Sequence, residues 1–474
     1  MSQTGTSQGK LSAFYSVLKQ SLQGGEIDYT VGSIRRSVIL LAIPMMLEMI
    51  LESVFALVDL YFVGHLHNSS YAIQTVSLTE SVLTIIYSLA IGISMAVTAV
   101  VARRIGEKEP AAAAKAGMQA IVIAVVLNTV ISIFGLLFAT KILLWLGASS
   151  GAAQQGTPFM QLMMGSSIFI MLLFLINGIF RGAGNAAIAM KSLWVANAAN
   201  ILLCPVFING FGPIPAFGLT GAAIATTLGR GLGVLYQLYH LASGENTLKV
   251  KWAYFVPDWL QVQALVKIAA PAVLQFIIAS CSWIFLAQLV ATTGGDHGSA
   301  GYQTGLRLLM FFMLPAWGLS NAASTLVGQN LGAKQIERAE QAVIKTAKYN
   351  VAYMLIITVF SLAGADLFVS FFTNDRQIQE VAERAIRIMS VGYIFYGIGM
   401  VLINAFNGAG DTWTPTWVNL CGFWLFQIPL AYFLAKYLQM GPEGVFISIP
   451  IAETAISIAG IVLFRKGKWK KVQV

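Results

Sequence analysis

Twelve windows of about 20 or more mostly apolar residues run through this chain, and a stretch of that length is what a helix needs to cross a bilayer. They fall at 37–63, 71–101, 117–139, 157–180, 186–208, 219–242, 264–291, 299–327, 347–372, 388–406, 413–435 and 444–464. Composition points the same way. Of the 474 residues 57% are hydrophobic and only 10% charged, against about 25% charge in a soluble domain. So few charged side chains cannot clothe a water-exposed surface of this size, and lipid is the expected solvent. The same proportions exclude a disordered chain, a collagen, a coiled coil and a secreted disulfide scaffold. The expected fold class is therefore an all-α polytopic membrane protein with twelve transmembrane helices. Cys204, Cys281 and Cys421 lie far apart in apolar stretches without metal or redox spacing, and are expected in the core.

Lysine and arginine set the orientation. The tail to Arg36 and segments 102–116, 181–191, 243–262, 328–348 and 465–474 hold 21 of the 29 basic residues, and the alternate loops hold five. Both termini are therefore expected in the cytoplasm, at a bacterial-type inner (plasma) membrane with a positive-inside bias. This placement also accounts for the net charge of +9 without nucleic acid, since no basic stripe with interleaved aromatics accompanies it. Trp145, Trp252 and Trp259 sit at span ends, as an interfacial belt would. In the polar first thirty residues Leu11, Phe14, Tyr15, Leu18 and Leu22 recur at helical spacing, which predicts a short helix on the membrane surface or else a disordered tail.

The chain repeats itself. V-V-A-R-R-I-G-E-K at 100–108 answers L-V-G-Q-N-L-G-A-K at 326–334, F-R-G-A-G-N at 180–185 answers F-N-G-A-G-D at 406–411, and Pro44 answers Pro271. Offsets of 226 or 227 throughout indicate a duplication. Six spans per repeat make the two halves parallel, a geometry of transporters whose substrate site lies between repeats. The expected domains are a cytoplasmic tail (1–30), an N-lobe (31–242), a cytoplasmic linker (243–262), a C-lobe (263–465) and a basic tail (466–474).

The residues that carry the repeat also resemble a family. L-A-I-P (41–44) with V-D-L-Y-F-V-G-H-L (58–66), R-G-A-G (181–184), L-V-G-Q-N-L-G-A (326–333) and N-G-A-G-D-T (407–412) look like the multidrug and toxic compound extrusion (MATE) family over nearly the whole chain. The resemblance implies two six-helix lobes that open alternately to either side. It also implies export of amphipathic, often cationic small molecules in exchange for protons or sodium ions.

Ionisable residues at membrane depth are expensive and mark function. The first span holds Glu48, Glu52 and Asp59. At about 100° per residue the three share one stripe roughly 40° wide, which predicts an interior or wet face rather than a lipid face. Carboxylates supply hard oxygen ligands for sodium and can also carry protons. The bland alternatives are hydrogen bonding between helices or pairing with Arg307 in span eight. The resemblance sharpens Asp59, since it implies that an aspartate at this place binds the coupling ion and that a proline fifteen residues earlier, here Pro44, lets the helix bend. Some members place Asn-x-x-x-Asp in the fifth helix; here Asn200 is present and Cys204 stands where the aspartate would be. A thiol is a poor sodium ligand, so either Glu48 or Glu52 supplies the charge or the protein uses protons, which is the preferred reading. Sodium at Asp59 and Asn200 stays the alternative, and no other metal or cofactor is expected.

Glu80, Gln275 and Arg307 are further polar candidates for a cavity. Gln275 occupies the place of Glu48 and Leu286 that of Asp59 in the second half, so coupling is expected to reside in the N-terminal half. L-L-M-F-F-M-L-P-A-W (308–317) could form an adaptable apolar wall. Asn68-Ser69-Ser70, His65 and His67 are read as loop residues without a role, and Glu453 in span twelve as a minor candidate. No ATP-binding motif and no nucleophile–base constellation appears, so neither an ATP-driven pump nor an enzyme is expected. The expected function is secondary active efflux by a monomer whose partners are small-molecule substrates and membrane lipids. A flippase of lipid-linked envelope precursors and an ion channel are the rivals. Asp59→Asn should abolish ion-driven efflux while the folded protein stays in the membrane; normal transport by that variant would remove Asp59 from the coupling set.

Overall fold

The structure, a computed structural model, describes the backbone of all residues except 1–6, 26, 65–68, 244–246 and 374. The side chains of 7–14, 56–57, 59–64, 69–71 and 73 lie outside the description as well, and with them Leu11, Phe14, Asp59, Ser69 and Ser70, while His65, His67 and Asn68 lie outside it altogether. The described chain is helical. The elements are α1 (Ser7–Gln23), α2 (Ile34–Gly64), α3 (Ser69–Gly106), α4 (Pro110–Trp145), α5 (Ser150–Gly165), α6 (Ser167–Gly182), α7 (Ala186–Asn209) and α8 (Leu219–Ala242). They are followed by α9 (Trp259–Gly332), α10 (Ile336–Ser370), α11 (Arg376–Ser390), α12 (Tyr393–Gly408), α13 (Trp413–Tyr437) and α14 (Pro442–Lys466).

Among the described residues nine helices are long and apolar enough to cross a membrane, and α11 with α12, bent by 58°, make ten. The 74 residues of α9 would extend about 110 Å at 1.5 Å per residue, several times the hydrocarbon thickness. Gly295, at φ 59° and ψ −156°, breaks it into two passes with a backbone that glycine adopts freely. With α8 as the last, the chain makes the twelve passes of the sequence pattern. The protein is an integral membrane protein.

The duplication is visible in backbone detail. Lys108 and Lys334 are both left-handed, at φ 64° and 59°, and Gly184 and Gly410 match at 89° and 85°. The turn bonds repeat as well: Glu109 N–H to Arg104 O (2.9 Å) matches Gln335 N–H to Asn330 O (2.8 Å), and Asn185 N–H to Phe180 O (2.8 Å) matches Asp411 N–H to Phe406 O (3.0 Å). Two unrelated sequences would not cap four helices in register.

The chain divides into two compact units. One comprises 47–273 with 23–27, and the other 274–474 with 1–22 and 28–46. The chain therefore changes unit inside α2 after Met46 and inside α9 after Val273, each two residues past the repeated proline. Glycines allow close approach at both places. A Cβ on Gly92 would lie 2.6 Å from the Val273 nitrogen, and one on Gly318, its counterpart 226 residues on, 2.3 Å from the Met45 oxygen.

In the first unit α3 packs against α4, α5 and α6, and α7 pairs with α8. Leu83, Ile86, Leu143, Met160 and Met164 form its apolar core. Val126, Val130 and Leu137 point outward from α4 at 62–72% exposure, as lipid-facing side chains do. In the second unit α12 packs against α10 and α14 around Met313, Met389, Tyr393 and Phe446. Of the 308–317 run, Leu308, Leu309 and Met313 are buried and Met310 is exposed. The cysteines are not uniformly core residues: Cys204 is buried, Cys281 half-buried and Cys421 exposed. In lipid, an outward-facing thiol costs little, so an apolar neighbourhood in sequence does not mean burial.

The connection at 243–262 lies wholly within the first unit. Gln119 of α4, fully buried, donates through Nε2 to the carbonyls of Tyr254 (2.6 Å) and Val256 (2.7 Å) and accepts from the Asp258 N–H (2.9 Å). Lys115 Nζ donates to Asp258 Oδ2 at 2.6 Å. That bond holds the Asp258 carboxyl below its usual range. A carboxyl so depressed contributes stability above its unfolded value near 3.9 and loses it as the pH falls further. Gln119→Ala should leave three polar backbone groups unpartnered and cost about 1–3 kcal/mol; limited proteolysis should cut the variant within 252–258 while sparing the wild type, and acidification below about pH 4 should expose the same segment in the wild type.

Candidate functional site

Glu48 and Glu52 of α2 face the interior of the first unit. Glu48, two residues past the change of unit, is 2% exposed. Its Oε1 accepts from Asn177 Nδ2 of α6 at 3.1 Å, and Arg181 Nη1, one turn along α6, lies 4.0 Å away. The amide is itself held. Asn177 Oδ1 accepts from Ser192 Oγ of α7 at 2.9 Å and from Gln237 Nε2 of α8 at 2.7 Å. Gln237 Nε2 also lies 3.0 Å from the Leu173 carbonyl and 3.2 Å from Ser192 Oγ; with two protons it can serve two of these three acceptors at once. Four helices thus meet on one polar chain, Glu48–Asn177–Ser192–Gln237. All four residues are buried.

Two atoms of this chain stand without a hydrogen-bond partner among the described residues, Glu48 Oε2 and Gln237 Oε1. Removing a carboxylate from water costs several kcal/mol. One amide bond to a charged group returns about 1.5–3 kcal/mol, and a guanidinium at 4.0 Å adds a Coulombic share. A second oxygen with no donor leaves that account short for the anion.

One turn on, Glu52 is half-buried and its Oε2 accepts from Asn197 Nδ2 of α7 at 3.1 Å. The shared stripe thus brings both glutamates against α6 and α7, each onto an asparagine. Asn200, one turn beyond Asn197, donates to Thr226 Oγ1 of α8 at 2.9 Å. Cys204 is buried with Ile208, Ala222 and Ala223 in an apolar cluster. Arg230 Nη2 donates to Tyr87 OH at 2.7 Å, with the guanidinium 5.5 Å from the ring centre. The Asp59 side chain, third of the stripe, lies outside the described residues. Pro44 is buried inside α2.

The other candidates are scattered. Glu80 is exposed on α3. In the second unit Gln275 is buried, with Oε1 unpartnered among the described residues, and Arg307 is exposed on α9. The charged neighbour of Glu48 is Arg181, which the sequence presents only as part of a G-A-G turn. Asn177, Ser192, Asn197 and Gln237 escaped a search for ionisable residues because neutral amides and hydroxyls in an apolar run attract less notice than acids. Their spacing from the acid stripe is invisible until the helices are docked.

This arrangement can hold and release a small cation at a buried carboxylate. Among the described residues no group of three or more metal-ligating side chains occurs.

The MatE family model matches residues 44–206 and again 271–433, two blocks displaced by 227 residues. The chain belongs to the MatE family. It is 25% identical to the probable multidrug resistance protein NorM of Thermotoga maritima, covering 96% of this chain and 97% of that one. It is 27% identical to a FAD transporter of Shewanella oneidensis over 85% of this chain and 88% of the relative. Among solved structures, a MATE protein in complex with MaL6 superposes with a TM-score of 0.89 at 24% identity, covering 94% of this chain and 99% of that chain, which places the fold.

Asn177→Leu, close in volume, should strand Glu48 Oε1, while the Ser192 hydroxyl keeps the Ala189 carbonyl at 2.8 Å, and destabilise this MatE protein by about 1–3 kcal/mol. Thermal unfolding in detergent with and without a second Glu48→Gln change checks it. The neutral amide should recover at least half of the loss if the stranded carboxylate is its cause.

Proposed function

We propose that the protein is a secondary active exporter. Amphipathic, cationic small molecules leave the cell by alternating access, in exchange for protons carried by the α2 carboxylates. The observation that supports this reading best is Glu48 Oε2, a buried carboxylate oxygen without a hydrogen-bond partner among the described residues. A proton on that oxygen neutralises the group while Oε1 keeps its bond from Asn177. The partners of Glu48 and Glu52 are donors, two amide nitrogens and a guanidinium. A sodium ion needs oxygen ligands instead, so the reading favours protons. Asp59, on the same stripe, is the proposed third carrier, with Asn200 beside it in the sodium alternative. The exporter would act as a monomer in a bacterial-type plasma membrane with both termini in the cytoplasm.

A second reading follows from Arg230, buried at membrane depth against Tyr87. A guanidinium there favours an anionic aromatic solute, and one relative bears the name FAD transporter.

Transport in proteoliposomes tests both. Efflux of a fluorescent cationic dye should follow a proton gradient alone, fail under a sodium gradient alone, and fall at least tenfold in Glu48→Gln. Dye efflux under sodium alone would overturn proton coupling. Uptake of FAD without dye would favour the second reading.

A further inference from the structure

Nothing above uses the single buried carboxylate described in the second unit. Glu453 of α14 is 5% exposed, and its Oε1 has no hydrogen-bond partner among the described residues. It belongs to a layer. On α9, α13 and α14, Ile278, Phe423 and Ile456 pack together as one apolar cluster, with Trp424 Nε1 donating to the Ile278 carbonyl at 3.0 Å. Leu286, Ala431 and Ile449 of the same three helices belong to another. One helical turn from each cluster lie Ser282, Gln427 and Glu453, at 2, 1 and 5% exposure. Ser282 Oγ donates to Gln427 Oε1 at 3.4 Å, and Gln427 Nε2 has no partner among the described residues. A polar layer between two apolar ones carries an unmatched donor and an unmatched acceptor.

Two further observations mark this layer. Gln427 closes a π-helical stretch, Leu420–Gln427, and such widened turns are frequent at functional sites. The family model sets its two blocks 227 residues apart, so Gln427 corresponds to Asn200, whereas the turns that open the last helices match at 223, Gly221 N–H to Gly218 O (3.0 Å) with Gly444 N–H to Gly441 O (3.2 Å), so Glu453 corresponds to Arg230. In the first unit the Asn200–Thr226 pair is complete at 2.9 Å with a neutral hydroxyl. The amide at this place is thus satisfied in the first unit, whereas Gln427 Nε2 in the second has no partner among the described residues.

We infer that Glu453, with Gln427 and Ser282, is a second proton-carrying site, placed in the C-terminal half. The surroundings leave the carboxylate its own charge to manage. From α12, Gly392 packs on Pro450 and Gly399 on Ser457, which sets Tyr396 opposite Glu453. From α11, Arg384 is bound to Glu443 at 2.7 Å and Arg387 to Glu383 at 3.8 Å. On α13, Lys436 sits over the Tyr432 ring at 5.1 Å, and α9 offers Ser282. Gln427 Nε2, an unmatched donor on α13, is no ligand for a metal cation. Coupling in this protein is thus not confined to the half that holds the acid stripe.

The transport meaning of the site rests on the proton-coupled reading above, but its protonation is measured without transport. Infrared spectra of the purified full-length protein should show a carboxylic C=O band that vanishes on alkalinisation. The band should be absent in Glu453→Gln and retained in Glu48→Gln. Glu453→Gln should unfold at the wild-type temperature; if it does not fold, Glu453→Asp should shift the band instead. In proteoliposomes, Glu453→Gln should lower the protons exchanged per dye by about one. A band that persists at every pH, one displaced by sodium at constant pH, or the same spectrum in Glu453→Gln as in wild type would overturn the proposal. A titrating Glu453 band in a protein that exports no dye would sink the exporter reading and leave the site standing.

Discussion

Hydrocarbon offers no hydrogen bonds, so every polar group this chain carries into the membrane must find its partner within the protein. That constraint makes the chain helical, because a helix satisfies its own backbone. It also dictates where the exceptions go. The Thr98 hydroxyl returns to the Ser94 and Gly178 carbonyls at 2.7 and 2.9 Å, and the Ser94 hydroxyl to the Phe174 carbonyl at 2.7 Å. Glycine at 178 lets α3 and α6 come close enough for this, since a Cβ there would lie 2.5 Å from Ser94 Oγ. Helices that cannot be driven together by water are held by such small-residue contacts and shared hydrogen bonds. Among the described residues several buried amide and hydroxyl oxygens also lack a partner, but on Glu48 and Glu453 the unmatched atom belongs to a carboxylate, the group that loses most by leaving water.

The sequence carries the fold openly because the same constraint acts on every residue of a span. Apolar windows, charge bias and the 226–227 offset lead directly to twelve passes in two parallel repeats, and the backbone angles at Lys108 and Lys334 repeat as their sequences do. The site is less legible. The acid stripe of α2 follows from spacing within one helix, yet its partners come from α6, α7 and α8, and no spacing within a helix shows which amide meets which acid. Asn200 was the visible candidate from motif resemblance; Asn177 and Asn197 make the contacts. The connection at 243–262 reads as a linker from its polarity, but Gln119, more than a hundred residues earlier, ties it to α4.

Duplication accounts for the framework and divergence for the chemistry. The turns that cap matching helices have kept their bonds, since a cap depends on backbone geometry that either sequence can supply. The interior positions have not. Glu48 corresponds to Gln275 and Asn200 to Gln427, and Glu453 stands where the first half has Arg230, by the matched turns at Gly218 and Gly441. Each half holds one fully buried acid among its described residues, on its first helix in one and on its last in the other. A repeat that had only to stand in the membrane could use neutral residues throughout, and at the place of Glu48 the second half does so with Gln275.

The position of Glu48 links this chemistry to the chain's mechanics. Pro44 removes a backbone N–H from α2, and the change of unit follows two residues later, with Glu48 two residues beyond that. The helix is therefore least constrained by its own bonds just before the residue whose charge can change. A charged Glu48 demands both the Asn177 amide and the Arg181 guanidinium, whereas a neutral one needs the amide alone. In the proton-coupled reading the force on α2 at this turn depends on a single proton. The same spacing recurs around Pro271 with Gln275, which cannot titrate, so the second half has the proline without a titrating group on that helix. Placing its acid on α14 instead separates the two halves' responses. In that reading one proton would act on the helix that carries the proline and the other on a helix packed against α12 and α13, which distinguishes a charge set at the change of unit from one carried within a single unit.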